Sequence, residues 1–140
     1  GWLFTPRAMI VAQVVIALPM VAGLTQSAIE ALDPALRLQL RALGASPAQT
    51  MWTLLAEARA GVISALIAAF GSIISEVGAV MLVGGNIAGS TRVMTTAIVL
   101  ETRQGEFELA LALGAVLLSL TFVINFAIMR LGQRREVAPR

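Results

Sequence analysis

Long apolar runs alternate along this chain with short clusters of charged residues. The three longest runs are residues 8–24, 61–83 and 109–129. An α-helix needs roughly 20 apolar residues to cross the ~30 Å hydrocarbon core of a bilayer, and each run is close to that length. The pattern predicts an all-α, polytopic membrane helix bundle with these runs as its spans.

Three residues stand out within the predicted spans. Pro19 interrupts the first span, Glu76 lies deep in the second, and Asn125 is a strongly polar residue in the third. A membrane helix tolerates proline when neighbouring helices satisfy the freed carbonyl group. A polar side chain at this depth is expected to face protein or water, and for Asn125 we predict an interhelical hydrogen bond.

The segment between the first two spans, residues 27–59, has an amphipathic pattern. Gly44 is a predicted C-cap, and Ser46-Pro47 followed by Gln49 has the composition of a capping box with proline at the first helical position. We therefore predict a compact pair of short helices, the second running from Pro47 to about Arg59. In the first part of the segment, apolar residues recur at helical spacing: Ile29, Leu32, Leu36, Leu40 and Leu43.

Glycine dominates the start of the segment between the second and third spans. Gly84, Gly85 and Gly89 interrupt any continuous helix. A short helix is predicted from Thr91 to Glu101, and Gly105 separates it from the last span.

Composition limits the chemistry that the chain can carry out. Only 13% of the residues are charged, about half the share of a soluble domain, and a net charge of +2 gives no strong nucleic-acid footprint. There is no cysteine or histidine, and no phosphate loop of the Gly-x4-Gly-Lys type. We therefore expect no enzyme activity, no metal site and no cofactor in this chain.

Arginine, which supplies all ten basic residues, predicts the orientation. The segment before the second span carries Arg37, Arg41 and Arg59, whereas the segment after that span has no positive excess. We predict that Ala45 is cytoplasmic and that Ala88 lies outside. The tail after Arg130, with Arg134, Arg135 and Arg140, is predicted to be cytoplasmic. Because the chain begins with Gly1, we expect N-terminal sequence to be missing.

Residues 36–66, LRLQLRALGASPAQTMWTLLAEARAGVISAL, resemble the cytoplasmic coupling segment of ABC importer permeases. Gly44 matches the glycine of the family motif and Leu54 takes its isoleucine position. The sequence departs from the motif where residues 38–40 replace Glu-Ala-Ala and residues 56–57 replace Leu-Pro. The resemblance implies that an ATPase contacts Leu40, Leu43, Gly44, Ala45, Ser46, Met51 and Leu54. The alternative from the residues alone is an interfacial amphipathic hairpin.

Residues 75–114 resemble molybdate, sulfate and tungstate permeases, with GGNIAGSTR intact at positions 84–92. Residues 57–61 and 95–102 are most like the tungstate branch. The resemblance implies the C-terminal portion of a larger permease domain. Such a permease would be a homodimer in the bacterial or archaeal inner membrane, with a separate ATPase and an external oxyanion-binding protein. The rival interpretation is a three-span scaffold protein without transport activity. An intramembrane enzyme is disfavoured, because the chain has no histidine, no cysteine and no paired-acid site.

The candidate pore or gate residues are Glu76, Gly78, Gly85, Asn86, Thr91, Arg92 and Thr95. Arg92 could pair two oxyanion oxygens in a fork geometry, and the threonines could donate hydrogen bonds. The alternative is that these residues cap and hold a re-entrant turn at the outer mouth. Glu76 could support a gate or form a helix-to-helix hydrogen bond. We favour the structural alternative for both groups, because a carboxylate repels an anion and a pore must release its substrate.

Overall fold

A computed structural model describes the backbone of residues 1–134 and the side chains of residues 1–130. Within that range the chain is helical and has no strand, which confirms the predicted all-α class. Arg135 and Arg140, part of the predicted cytoplasmic tail, lie outside the described residues. The helices are α1 Pro6–Glu30, α2 Pro34–Ala42, α3 Pro47–Glu57, α4 Arg59–Ile74, α5 Gly78–Gly84, α6 Met94–Gln104 and α7 Phe107–Arg134.

Two of the described helices are long and apolar enough to cross a membrane by themselves. They are α1, which contains Pro19, and α7 as far as Arg130. A third candidate is the pair α3 and α4, which are bent by 73° at Ala58. The first and third apolar runs therefore lie within long helices, each of which extends beyond the run.

The second apolar run, residues 61–83, does not form the single continuous helix that its hydropathy suggests. α4 ends at Ile74 and α5 begins at Gly78. The Glu76 carboxylate accepts the backbone N–H of Ala79 at 2.8 Å. The Ser75 hydroxyl approaches the carbonyl oxygens of Gly71 and Ser72, each at 3.0 Å. Side chains thus compensate backbone groups freed by the break, as apolar surroundings require.

α4 lies at the centre of the packing, between α1 and α7. Its face toward α1 is made of small residues, and a Cβ atom on Gly61 would lie only 2.3 Å from the Cβ of Ala28. Farther along, the Gln13 side-chain amide donates to the carbonyl of Ile73 at 3.4 Å. A close glycine contact and a polar contact therefore hold α1 against the two ends of α4.

The helical pair between the first two spans is confirmed. Gly44 has a φ of +76°, and the N–H groups of Gly44 and Ala45 donate to the carbonyls of Arg41 and Leu40, each at 3.0 Å. This is a Schellman motif that ends α2. The reciprocal hydrogen bonds between Ser46 and Gln49 then start α3. The chain turns through 73° after Glu57, so α3 stops two residues earlier than predicted.

Candidate functional site

Two candidate surfaces lie at opposite ends of α1. We call residues 84–92 the glycine loop, and α2 with α3 the coupling pair. The N–H of Phe4, just before α1, donates to the Val83 carbonyl at 2.8 Å and so places the glycine loop at the start of α1. The coupling pair follows the end of α1. The 25 residues of α1 span about 37 Å, which separates the two surfaces by more than the hydrocarbon core of a bilayer.

Two glycines let the start of α1 approach the glycine loop. A Cβ on Gly84 would lie 2.8 Å from the sulfur of Met9. Gly85 has a φ of +71°, and a Cβ there would lie 2.6 Å from Cδ1 of Phe4. A side chain at either position would have to move the side chain of Met9 or Phe4, so Gly85 supports the packing of the loop.

Thr91 closes the glycine loop. Its side chain is 1% exposed; its hydroxyl donates to the carbonyl of Gly84 and accepts the N–H of Ile87 at 2.9 Å. The Ile87 carbonyl in turn accepts the N–H groups of Ser90, Thr91 and Arg92 at 3.0–3.1 Å. The hydroxyl proton of Thr91 is therefore used within the loop. Because Thr91 is held within the loop, α6 begins only at Met94. The prediction that this helix begins at Thr91 is therefore wrong.

Two of the remaining candidates have side chains without a hydrogen-bond partner among the described residues. Arg92 is exposed and Thr95 is half-buried. Both can therefore donate to a ligand. The neighbouring Thr96 is fully buried and its hydroxyl exchanges hydrogen bonds with the backbone of Val93 at the start of α6.

Asn86 occupies an unusual position in the glycine loop. Its φ is +50°, in the left-handed region, which asparagine tolerates better than most residues. Its side-chain oxygen is buried and has no hydrogen-bond partner among the described residues. An oxygen accepts hydrogen bonds, so in this orientation Asn86 offers nothing to an anion through that atom.

Glu76 and Gly78 lie at the other end of α5, about 10 Å from the glycine loop along the helix axis. Among the described residues, Glu76 forms no hydrogen bond to another spanning helix; its oxygen accepts from the N–H of Ala79, three residues later. A Cβ on Gly78 would lie 3.3 Å from the same Glu76 oxygen. The absence of a side chain at Gly78 thus leaves room for the cap.

The coupling pair presents an apolar surface that nothing in the described residues covers. Leu43 is 83% exposed and Trp52 is 73% exposed, and Met51 beside them is also exposed. Sequence reasoning missed Trp52, although a tryptophan next to Met51 on a capped helix was the available signal. Leu54 differs from its prediction, because it is 5% exposed and packs within the chain instead of contributing to this surface.

Asn125 was predicted to form an interhelical hydrogen bond. Its side-chain oxygen is buried on α7, but it has no hydrogen-bond partner among the described residues. The predicted bond is therefore not observed for that oxygen.

The chain matches one protein family over residues 1–137. That family is described as "Binding-protein-dependent transport system inner membrane component". No solved structure matches the chain.

Several curated proteins are similar to the chain. A Haloferax volcanii protein, "Probable anion ABC transporter permease protein", is 44% identical over 88% of this chain and 55% of its own length. A "Tungstate uptake system permease protein" from Campylobacter jejuni is 42% identical over 90% of this chain and 53% of its own. A "Molybdenum transport system permease protein" from Azotobacter vinelandii is 32% identical, over 89% and 56%. The chain thus spans about half the length of the curated relatives it matches.

Proposed function

This chain belongs to the binding-protein-dependent transport system inner membrane component family, and on that basis we propose that it is part of the permease subunit of an ABC importer for an oxyanion. The permease lies in a bacterial or archaeal inner membrane and crosses it several times. It acts as a homodimer with a separate ATPase, and a binding protein delivers the anion from outside. The coupling pair, with the end of α1, corresponds to the proposed cytoplasmic segment of residues 27–59.

The open apolar surface of the coupling pair carries this proposal. Leu43 and Trp52 are large, exposed and held on two capped helices, which leaves little conformational entropy to lose on binding. An amphipathic helix whose apolar side enters a groove on a partner is a common mode of recognition. The ATPase supplies that groove. The surface lies directly beside the bend into α4, where a bound ATPase could act on the transmembrane helices.

Tungstate is the substrate we propose, with molybdate or sulfate as the alternatives. The chain is 42% identical to the tungstate permease and 32% identical to the molybdenum permease over similar lengths. The free side chains of Arg92 and Thr95 provide donors for a tetrahedral oxyanion at the outer end of α1. Two donors, one on the exposed glycine loop and one half-buried at the start of α6, bind weakly, which suits a pathway that must release its substrate.

The placement of the two surfaces at opposite ends of α1 supports alternating access as the proposed mechanism. Closure of the ATPase dimer on ATP moves the coupling pair, and the bend at Ala58 passes that movement to α4. α4 contacts α1 at Gly61 and continues through Glu76 into α5 and the glycine loop. The cytoplasmic event thereby reaches the outer surface through packed helices, without a flexible linker.

Uptake and co-purification together test the proposal. In cells that lack their own tungstate and molybdate importers, the native permease with its ATPase restores tungstate uptake, and the ATPase co-purifies with it. The double variant Leu43→Ala/Trp52→Ala weakens ATPase association by about tenfold or more, because large buried side chains dominate such interfaces, and uptake is lost.

The matched control is Leu111→Ala/Leu118→Ala, which removes two equally exposed apolar side chains from α7. This control is expected to keep ATPase association at the parental level. The scaffold interpretation would be favoured if cells that produce the parental permease take up none of the three anions and no ATPase co-purifies with it.

A further inference from the structure

A groove of about 1130 Å³ lies between the C-terminal half of α1 and the coupling pair. Its long wall is α1 from Val14 to Glu30, and α3 forms the facing wall. The side chains that line it include Leu18 and Val21 on one wall and Met51 and Leu55 on the other. Leu43 and Trp52 of the open apolar surface do not line the groove, whereas Met51 borders both.

The groove changes character along its length. Toward Val14 its lining is apolar, and toward Gln26 it becomes polar, with Arg37 and Arg41 of α2 at the polar end. The rise from Val14 to Gln26 is about 18 Å, slightly more than the ~15 Å half-thickness of a hydrocarbon core. A helix that crossed the whole membrane would need an apolar wall of about 30 Å. The groove therefore matches the length of one lipid leaflet.

Two guanidinium groups are unpaired at the polar end. Among the described residues, neither Arg37 nor Arg41 has a hydrogen-bond or ion-pair partner for its side chain. They are four residues apart on α2, so they project from the same face of the helix, where like charges repel. The acidic residue of the groove, Glu30, accepts a hydrogen bond from the Gln26 amide at 2.8 Å. An anion placed between the arginines would relieve their repulsion.

We propose that this groove binds one anionic phospholipid of the cytoplasmic leaflet. The phosphate group lies against Arg37 and Arg41, and an acyl chain runs along Leu18, Val21 and Met51 toward the bilayer centre. Basic pockets on the cytoplasmic side of membrane helices recognise anionic headgroups in this way. The choice of leaflet rests on the proposed orientation, whereas binding itself does not depend on transport.

Lipid binding is measured on the permease extracted from its own membrane in neutral detergent. The sample contains the full chain and every subunit that accompanies it. Native mass spectrometry follows titration with dioleoyl phosphatidylglycerol or dioleoyl phosphatidylcholine. We expect phosphatidylglycerol to bind about tenfold more tightly, since each arginine near a headgroup adds a favourable electrostatic contribution. The variant Arg37→Gln/Arg41→Gln should bind the two lipids equally within about twofold.

The control Arg7→Gln/Arg103→Gln removes the same charge away from the groove and is expected to keep the tenfold preference. Val21→Trp, which narrows the apolar part, is expected to weaken both lipids while the arginines are intact. Circular dichroism and the elution volume confirm that each variant is folded.

Some outcomes would overturn the proposal. A preference that survives Arg37→Gln/Arg41→Gln means that the bound lipid is elsewhere, and that another segment of a longer chain or a second copy fills the groove. An equal loss in the control means that overall charge, not this site, sets the preference. Unchanged phosphatidylglycerol binding in Val21→Trp excludes an acyl chain in the groove.

Discussion

The hydroxyl group of Thr91 donates to the carbonyl of Gly84, seven residues earlier, and accepts the N–H of Ile87. One short side chain thus closes the glycine loop across its whole length. Because Gly84 also lies against Met9, the same hydrogen bond fixes the loop to the start of α1. This buried hydroxyl group therefore orders the surface together with the backbone hydrogen bonds to the carbonyls of Ile87 and Val83.

Thr91→Val tests that dependence with almost no change in shape. It leaves the Gly84 carbonyl and the Ile87 N–H without their side-chain partner, which typically costs about 1–3 kcal/mol for buried groups. We expect a lower unfolding temperature in detergent and reduced uptake. Thr91→Ser keeps the hydroxyl and should stay closer to the parent. A Thr91→Val protein that is as stable as the parent would show that the loop does not rely on this bond.

Gly61→Ala tests the closest approach between α1 and α4. The new Cβ would lie 2.3 Å from the Cβ of Ala28, so the helices must separate, at a cost of about 1–3 kcal/mol. Gly71→Ala is the matched control on the same helix, since no atom lies within 4 Å of its added Cβ. Thermal unfolding should separate the two variants, and Ala28→Gly combined with Gly61→Ala should restore stability. Equal melting temperatures for both single variants would contradict the packing described here.

Glu76 is predicted to act through its acceptor oxygen, not through its charge. Glu76→Gln keeps an oxygen for the Ala79 N–H, so assembly and most uptake should be retained. Glu76→Leu leaves that N–H uncapped in apolar surroundings, and we expect a loss of about 1–3 kcal/mol in stability together with poor assembly. Membrane yield and uptake are the measurements. Normal assembly with leucine but no uptake with glutamine would assign the function to the charge.

Gly44→Val tests the turn of the coupling pair by backbone strain alone. The glycine has a φ of +76°, and no atom lies within 4 Å of an added Cβ. The left-handed conformation costs roughly 1–2 kcal/mol for ordinary residues, and asparagine tolerates it better. We expect Gly44→Val to keep membrane expression, lose ATPase association and abolish uptake, with Gly44→Asn intermediate. A valine variant that binds the ATPase and transports normally would argue against the coupling assignment.

The predicted orientation is tested by thiol labelling, which is simple because the chain contains no cysteine. Ala88→Cys in the glycine loop should react with an impermeant reagent added outside the cell. Ala48→Cys, exposed on the coupling pair, should react only after the cytoplasmic side is opened. The reverse pattern would overturn the orientation derived from the arginine distribution.

In the coupling pair, the turn could be predicted from the sequence almost residue by residue, but the start of α2 at Pro34 could not, because the apolar pattern runs on from Ile29. The turn is set by local signals: Gly44 at the end of α2, then Ser46, Pro47 and Gln49 at the start of α3. Such caps act within three or four residues, so sequence order reveals them. The burial of Leu54 could not be predicted in this way, because it depends on tertiary packing and not on these local caps.

The break between α4 and α5 was hidden for a similar reason. Residues 61–83 have the hydropathy of one span, and Glu76 is compatible with either a gate or a contact. The amide that compensates the Ile73 carbonyl belongs to Gln13, 60 residues away. In the same way, the predicted helix from Thr91 was placed by the positions of the glycines around it, whereas the hydrogen bond to Gly84 decides the role of Thr91.

The contact between Gly61 and Ala28 lies very close to one end of α4. Arg59, where α4 leaves the 73° bend, is about 3 Å from Gly61 along the axis, whereas Ile74 is about 20 Å away. α4 is thus a lever whose fulcrum is next to the coupling pair. A tilt about that fulcrum would move the far end of α4, and the break at Glu76, more than six times as far as the near end, and it would release the hydrogen bond from Gln13 to the Ile73 carbonyl. Small displacements at the bend would then become large ones at the far end of α4.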